Sequence, residues 1–156
     1  MIEIDIPGSG ALKLEHLVLD YNGTLALDGA LLQGVAPRLQ ALADSLQIHV
    51  VTADTFGRAH EGLRGLPCNL VVLPAASQDV AKQRFVRELG PSSTVAIGNG
   101  LNDALMLEEA ALGIAVILEE GATVRTLMAA DVACLSITAA LDLLTHPRRL
   151  VATLRR

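Results

Sequence analysis

Residues 17–26, LVLDYNGTLA, decide how the rest of the chain is read. Leu17, Val18 and Leu19 form an apolar run of the kind a parallel strand buried on both faces requires, and the run stops at a single acid. Asp20 therefore emerges at the carboxyl end of a rigid element, which is where open α/β sheets place their ligands. Gly23 admits backbone angles that other residues avoid. Thr24 adds a hydroxyl and an N–H beside the acid, a setting suited to a phosphate or a metal–phosphate pair. An ordinary strand end followed by an Asx-type turn has the same signature, so the segment alone leaves both readings open.

Size and composition narrow the choice. At 156 residues the sequence predicts one domain with a sizeable core. A 51% hydrophobic composition against 19% charged residues excludes disorder and favours a sheet covered on both faces. Aromatics make up 2%, so stacking platforms for bases are nearly absent, and the net charge of −5 also argues against nucleic acid. Arg148, Arg149, Arg155 and Arg156 form a small basic tail. No apolar run reaches the length of a membrane span, and the start MIEIDIPG lacks the pattern of a secretory signal; the expected location is the cytoplasm, without a membrane partner. Cys68 and Cys134 lie far apart beside apolar residues and are expected to be buried free thiols. His16, His49, His60 and His146 are scattered without a metal-ligand spacing.

Along the chain, Ile2, Ile4 and Ile6 alternate with acids, and PGSG at 7–10 turns into a return strand over 11–14. This N-terminal hairpin (1–14) is expected to cover an edge of the sheet; a homo-oligomer built through its apolar face stays open. Asp28-Gly29 between two short apolar runs predicts a second hairpin. Leu32, Val35, Leu39, Leu42 and Leu46 mark the first long helix, with Pro37 in its first turn. A strand over 48–51 ends at Thr52, a short helix follows over 56–63, and 70–73 is the third strand. Ser77 is expected to cap a helix running to Leu89. A fourth strand covers 94–97, a helix over 102–112 is closed by Gly113, and strands at 114–117 and 132–134 flank a helix over 122–128. Ser136 caps a helix over 137–144, and Pro147 starts the last. Alternating strands and helices imply right-handed crossovers and a mostly parallel sheet with helices on both faces.

Loops following the predicted strands carry the polar groups: Asp20 to Thr24, Thr52 to Thr55, Asn99 to Asp103, with Lys82 a little into a helix. DYNGT at 20–24 resembles the DxxGT nucleophile motif of the haloacid dehalogenase-like (HAD) phosphohydrolases. Thr52 resembles their second motif, Lys82 their third, and GNGLND at 98–103 their GDGxND fourth. Order and spacing agree over residues 16–135. The nearest branch is the soluble P-type ATPase-like group, which resembles the phosphorylation domain of cation pumps without a membrane part. The resemblance implies an α/β fold of the HAD-like Rossmannoid type, a three-layer sandwich with a mostly parallel central sheet. It also implies a flap hairpin at 25–34, no large cap, and a strand order placing the Asp20 strand centrally, the strands of Thr52 and Leu70 to one side and that of Thr94 to the other.

The same resemblance assigns roles. Asp20 is the nucleophile and a magnesium ligand, and the backbone carbonyl of Asn22 is a second ligand. Asn99 and Asp103 complete the metal site. Thr52, the Ala53 N–H, Gly23, Thr24, Lys82 and Asn102 hold the phosphoryl group, Lys82 by neutralising it together with Asp20. Two positions depart from the pattern, since Asn22 and Asn99 stand where the phosphatases carry aspartates. An amide at 22 cannot move a proton, and one at 99 removes a charge from the metal site. Asp28, Glu108 and Glu109 read as solvated surface, and Asp54 and Thr55 as loop or helix-cap residues. Three readings remain: a Mg²⁺-dependent phosphohydrolase or phosphotransferase acting through Asp20, catalytic with Asn22, Thr52 and Lys82; a phosphate- or metal-binding regulatory domain; or a purely structural interaction module. The partner in either of the first two is a phosphorylated small molecule or macromolecule.

Overall fold

The computed structural model describes residues 1–54 and 57–156. Strands β1 (Ile2–Ile6) and β2 (Gly10–Leu14) form the N-terminal hairpin, followed by β3 (His16–Leu19). The flap consists of β4 (Ala26–Leu27) and β5 (Ala30–Leu31), and then come α1 (Val35–Leu42), β6 (Gln47–Thr52), α2 (Arg58–Gly62), β7 (Asn69–Val72) and α3 (Gln78–Leu89). The C-terminal half supplies β8 (Thr94–Gly98), α4 (Ala104–Glu109), β9 (Leu112–Val116), α5 (Val124–Ala129), β10 (Val132–Cys134), α6 (Ile137–Thr145) and α7 (Pro147–Leu154).

Six strands pair in the order β10-β9-β8-β3-β6-β7, every pair parallel, so the Asp20 strand is central, as the motif order implies. Leu19 is level with Val50 on one side and Ile97 on the other, which brings the loops after β3, β6 and β8 out at one end of the sheet. The two-residue period of the strands sorts side chains to opposite faces. Leu17, Leu19, Ile48, Val50, Val95 and Ile97 pack with Leu39, Leu42, Leu141 and Leu144 of α1 and α6. Val18, Val51, Ala96 and Ala115 face Val86, Met106 and Leu107 of α3 and α4. Arg38 and Asp142 tie α1 to α6 through a two-pronged ion pair, 2.8 and 3.0 Å.

The flap forms where Asp28-Gly29 predicted it, with positive φ at both residues (51° and 83°), the backbone a tight hairpin turn needs. Other expectations are corrected. The N-terminal hairpin covers neither sheet edge; it forms a two-stranded sheet of its own and packs β1 on α7, with Ile4, Ile6 and Leu14 buried in the core. The first helix begins at Val35 after a left-handed Gly34, not at Leu32. Ser77 has a φ of 56° and makes no capping hydrogen bond. In that conformation its side chain is carried away from the first helical N–H groups. Ser136 does cap α6, accepting from Ala139 N at 3.0 Å. The short helix before β7 is described from Arg58, so Phe56 lies outside the described residues, as does Thr55. Cys68 and Cys134 are free and half-buried. Among the described residues no helix is long and apolar enough to cross a membrane.

The helix expected over 102–112 is shorter, and Gly113 is not its stop. A 3₁₀ turn at Leu101–Asp103 leads into α4, which ends at Glu109, and Gly113 lies inside β9. Its role is close approach: a Cβ there would stand 2.6 Å from the Leu107 carbonyl oxygen and 3.1 Å from its carbon. Backbone atoms cannot swing aside as a side chain can. Gly113→Ala is therefore expected to destabilise the fold by about 1–3 kcal/mol, read as a lower urea midpoint at unchanged slope. An unchanged midpoint would mean that α4 shifts freely over the sheet.

Candidate functional site

At the carboxyl end of β3, β6 and β8 the loops enclose a crevice of about 560 Å³, lined by Asp20, Asn22, Thr52, Ala53, Asn99 and Asn102 among others. Beneath it sits Lys82, projecting from the second turn of α3 and wholly buried. Its ammonium nitrogen donates to Asp20 Oδ1 at 2.6 Å and to Asp103 Oδ1 at 2.7 Å. Asp103 Oδ2 accepts in turn from the backbone N–H groups of Asn99 (3.0 Å) and Gly100 (2.9 Å), so one carboxylate anchors both the lysine and the GNGLND loop.

The turn after Asp20 is fixed by the backbone. Tyr21 O accepts from Leu25 N (2.9 Å) and Ala26 N (3.0 Å), and Gly23 N donates to Ala26 O (2.8 Å), with Gly23 at φ 77°. This folds Thr24 back under the acid. Its hydroxyl lies 3.4 Å from Asp20 Oδ2 and 3.3 Å from Asn99 Oδ1. Both oxygens are acceptors and the single hydroxyl proton can serve only one, so a small volume rich in oxygen and poor in donors opens beside Asp20. The Asn99 amide nitrogen is committed elsewhere, to Gly121 O at 3.0 Å. Asn22 is exposed at the crevice mouth, whereas Asn99 is buried.

Charge and burial together set the state of Asp20. One lysine serves two carboxylates in a site shielded from water. Burial, reinforced by the negative charge of Asp103 and opposed by Lys82, pushes the Asp20 carboxyl up to about 7. Lys82 is itself pulled down by burial, but its two carboxylate partners outweigh that and hold the ammonium charged.

The remaining predicted positions are also placed. Thr52 is buried at the end of β6, its hydroxyl accepting from Asp54 N at 3.3 Å. Asn102 donates to Gln78 Oε1 at 3.0 Å across the crevice wall. Asp54 is a helix-cap residue, accepting from Ala59 N (2.8 Å) and His60 N (3.3 Å) of α2. Glu109 is not solvated surface: it pairs with Arg87 at 2.9 Å and accepts from Gln83 at 3.0 Å, joining α4 to α3. Sequence reasoning missed Arg58, Gln78 and Glu120, all of which line the crevice, and read Asp28, on its rim, only as surface. Arg58 reaches the flap, donating to Asp28 O at 2.6 Å. Nothing local marks these residues; they arrive from other loops. Outside the crevice lining, His16 Nδ1 at the start of β3 and His49 Nε2 in the middle of β6 come within 3.4 Å although their sequence spacing suggests no partnership.

Solved structures of HAD-superfamily hydrolases share this fold. A subfamily III A hydrolase of Legionella pneumophila superposes with a TM-score of 0.72 at 18% identity, covering 90% of this chain and 86% of that one. The 3-deoxy-D-manno-octulosonate 8-phosphate phosphatase of Moraxella catarrhalis, solved with magnesium, phosphate and the sugar acid, gives 0.70 at 17% identity over 90% of this chain and 92% of its own. The chain thus has the HAD-superfamily fold. By sequence it belongs to the family of protein MJ0073 of Methanocaldococcus jannaschii, to which it is 43% identical over 83 residues, 51% of this chain and 89% of the relative. It is also 45% identical over 60 residues to a phosphoglycolate phosphatase of Methanoculleus marisnigri, 37% of this chain but only 24% of that protein's length. No family model matches the sequence.

A stability test follows from the surplus carboxylate. The folded protein holds the Asp20 proton more tightly than the unfolded chain. The stability this contributes is complete below about pH 4 and is lost as pH rises through about 7. Asp20→Asn keeps the shape but cannot ionise. In metal-free buffer its stability relative to the parent should rise between pH 4 and pH 8 by on the order of a few kcal/mol. A difference in thermal midpoint that stays constant across that range would show that Asp20 is not the strained acid.

Proposed function

We propose that this chain is a magnesium-dependent phosphohydrolase or phosphotransferase that forms an aspartyl phosphate on Asp20. The observation that carries the reading is the buried Lys82 ammonium held between Asp20 and Asp103 at the floor of a crevice at the sheet's carboxyl end. A carboxylate meant only for structure would need one partner, not a shared cation below an open cavity. The phosphatase relatives in sequence and fold support the same class. The motif order supports the finer placement among soluble P-type ATPase-like proteins; the proposed setting is the cytoplasm, and the proposed substrate a phosphorylated small molecule or macromolecule.

The residues present fit a hard divalent cation. Asp20 Oδ2 and Asn99 Oδ1 flank one hydroxyl donor, and the Asn22 carbonyl would complete the protein ligands, with Asp103 acting through water or directly. Among the described residues no three carboxylate, histidine or cysteine side chains gather tightly enough to hold an ion alone. That suits Mg²⁺, which keeps several waters and takes one or two carboxylates. When bound, the cation offsets the charge of the carboxylate and of the phosphoryl oxygens. An Asp20 oxygen attacks phosphorus, and the bond to the leaving oxygen breaks, that oxygen taking its proton from water. Lys82 neutralises the charge gathering on the phosphoryl group, while Thr52, the Ala53 N–H, Gly23, Thr24 and Asn102 orient it. Water then attacks the acyl phosphate, releasing phosphate and returning the Asp20 carboxylate, with its proton passed to solvent.

Asn22 limits this cycle. An amide offers no proton to a leaving oxygen and removes none from water, so activated phosphoryl donors with good leaving groups are favoured over simple esters. The two amides also support a second reading, a phosphate- or metal-binding regulatory domain without turnover.

Mass measurement of the intact protein after incubation with Mg²⁺ and acetyl phosphate separates them. Addition of one phosphoryl group, absent in Asp20→Asn, is the expected result; its absence with every activated donor leaves the regulatory reading. Asn22→Asp should raise aryl phosphate hydrolysis by roughly 10²–10⁴-fold at saturating Mg²⁺, the usual worth of a positioned general acid–base. A rate no higher than that of Asp20→Asn, with fold and metal binding intact, would mean that proton transfer is not what limits the protein.

A further inference from the structure

The crevice has an acidic residue that the motifs do not predict. Glu120 lies in the turn between β9 and α5, where Gly121 N closes on Leu118 O at 2.9 Å. A methyl group built on Gly23 would stand 2.3 Å from Glu120 Oε2, 2.6 Å from Asn99 Nδ2 and 2.9 Å from Asn99 Oδ1. The Glu120 carboxylate and the Asn99 amide therefore converge directly above the turn that presents Asp20. Gly23, with no side chain, leaves the space in which they meet.

That placement is held by the loop after β8. Asn99 Nδ2 donates to Gly121 O at 3.0 Å, Thr123 N donates to Asn99 O at 3.1 Å, and Thr126 Oγ1 donates to Gly100 O at 2.7 Å. The amide at position 99 makes the first of these bonds and a carboxylate could not, because it has no N–H to give. The side chain that lowers the charge of the site is thus the one that fastens a carboxylate beside it.

The other rim acids are differently engaged. Asp54 caps α2 with both oxygens, and Asp28 sits on the flap, its backbone carbonyl accepting from Arg58. Glu120 is exposed, and among the described residues it makes no ion pair. Charge balance points the same way. With both carboxylates ionised, Asp20, Asp103 and Lys82 together carry one net negative charge, and a divalent cation carries two positive ones.

We propose that Glu120 is the third acid of the cation site, supplying from the facing turn the charge absent at Asn99 and holding the ion's water shell over Gly23. The inference rests on the phosphoryl-transfer reading of the crevice. Contact through water agrees with the lack of a tight three-acid cluster among the described residues, and with the reluctance of Mg²⁺ to shed its waters.

The test is calorimetric titration of Mg²⁺ into metal-free protein, with and without beryllofluoride. Glu120→Gln should weaken Mg²⁺ binding by about 10-fold or more, the scale of losing a group that acts on a metal through its outer shell. Glu119→Gln removes the same charge from the same turn, but at a residue lining a separate surface cavity with Leu118 and Thr138, and should bind as the parent does. Asn99→Asp added to Glu120→Gln should recover affinity. Three results overturn the proposal: Glu120→Gln binding like the parent; equal losses in the Glu119 and Glu120 variants, which would show general attraction; or an unchanged affinity with slower turnover at saturating Mg²⁺, which would make Glu120 a proton-transfer group. All three leave the aspartyl-phosphate reading standing. A parent protein that takes up no Mg²⁺ under either condition overturns both.

Discussion

A lysine ammonium enclosed by protein is tolerable only if its charge is answered, because taking an unpaired ion out of water costs several kcal/mol even after relaxation. Lys82 is answered twice, by Asp20 and by Asp103. Each partner comes from a different element: the end of β3, the start of α3, and the 3₁₀ turn after β8. The three must keep register with one another to within a hydrogen bond. Removing either carboxylate leaves a single pair, and removing the lysine leaves two buried acids facing each other. The arrangement is stable yet unbalanced, since one positive charge meets two negative ones. That surplus leaves the floor of the crevice short of positive charge, the feature on which the proposed cation site rests.

The sheet supports this arrangement through an asymmetry between its faces. On the side of α1 and α6 the strands present Leu, Ile and Val, a thick layer typical of parallel sheets. On the side of α3 and α4 they present Val18, Val51, Ala96 and Ala115, and Gly113 allows the Leu107 carbonyl of α4 almost onto the strand. From α3 the Lys82 side chain runs buried beneath the strand ends, its apolar stem out of water and its charged head on the two acids.

Much of this was legible in the sequence, for physical reasons that differ by region. The run Leu17 to Leu19 ending in Asp20 shows both a strand and the end of it, and Asp28-Gly29 encodes a turn whose backbone few other pairs adopt. Strand order came only from the motif resemblance, because alternation of strands and helices is blind to it. The failures share a cause: the deciding contact is tertiary. Gly113 reads as a helix stop until the Leu107 carbonyl is seen against it, and Ser77 reads as a cap until its φ is known. Glu109 reads as surface until Arg87 and Gln83 of the neighbouring helix close on it. Glu120 belongs to no motif, and its place over Gly23 depends on hydrogen bonds from a loop some twenty residues earlier in the chain.

The two asparagines that depart from the phosphatase pattern are not equivalent, and their surroundings say why. Asn99 is buried, its amide nitrogen bonds Gly121 O, and its backbone carbonyl accepts from Thr123 N. An aspartate there would lose the first bond and set a negative charge against a carbonyl oxygen and the Glu120 carboxylate. The amide at 99 is thus part of the fold as well as of the site, and the turn carrying Glu120 depends on it. Asn22 is exposed, and only its backbone is fixed, bridging to Ala26. A carboxylate at 22 would break no hydrogen bond of the fold among the described residues, and would bring a charge and a group able to carry a proton. An amide kept at 99 therefore has a structural explanation, whereas an amide kept at 22 has a chemical one. On the proposed aspartyl-phosphate reading, an amide at 22 slows cleavage of the acyl phosphate on Asp20, which suits a protein that holds the phosphoryl group or passes it on.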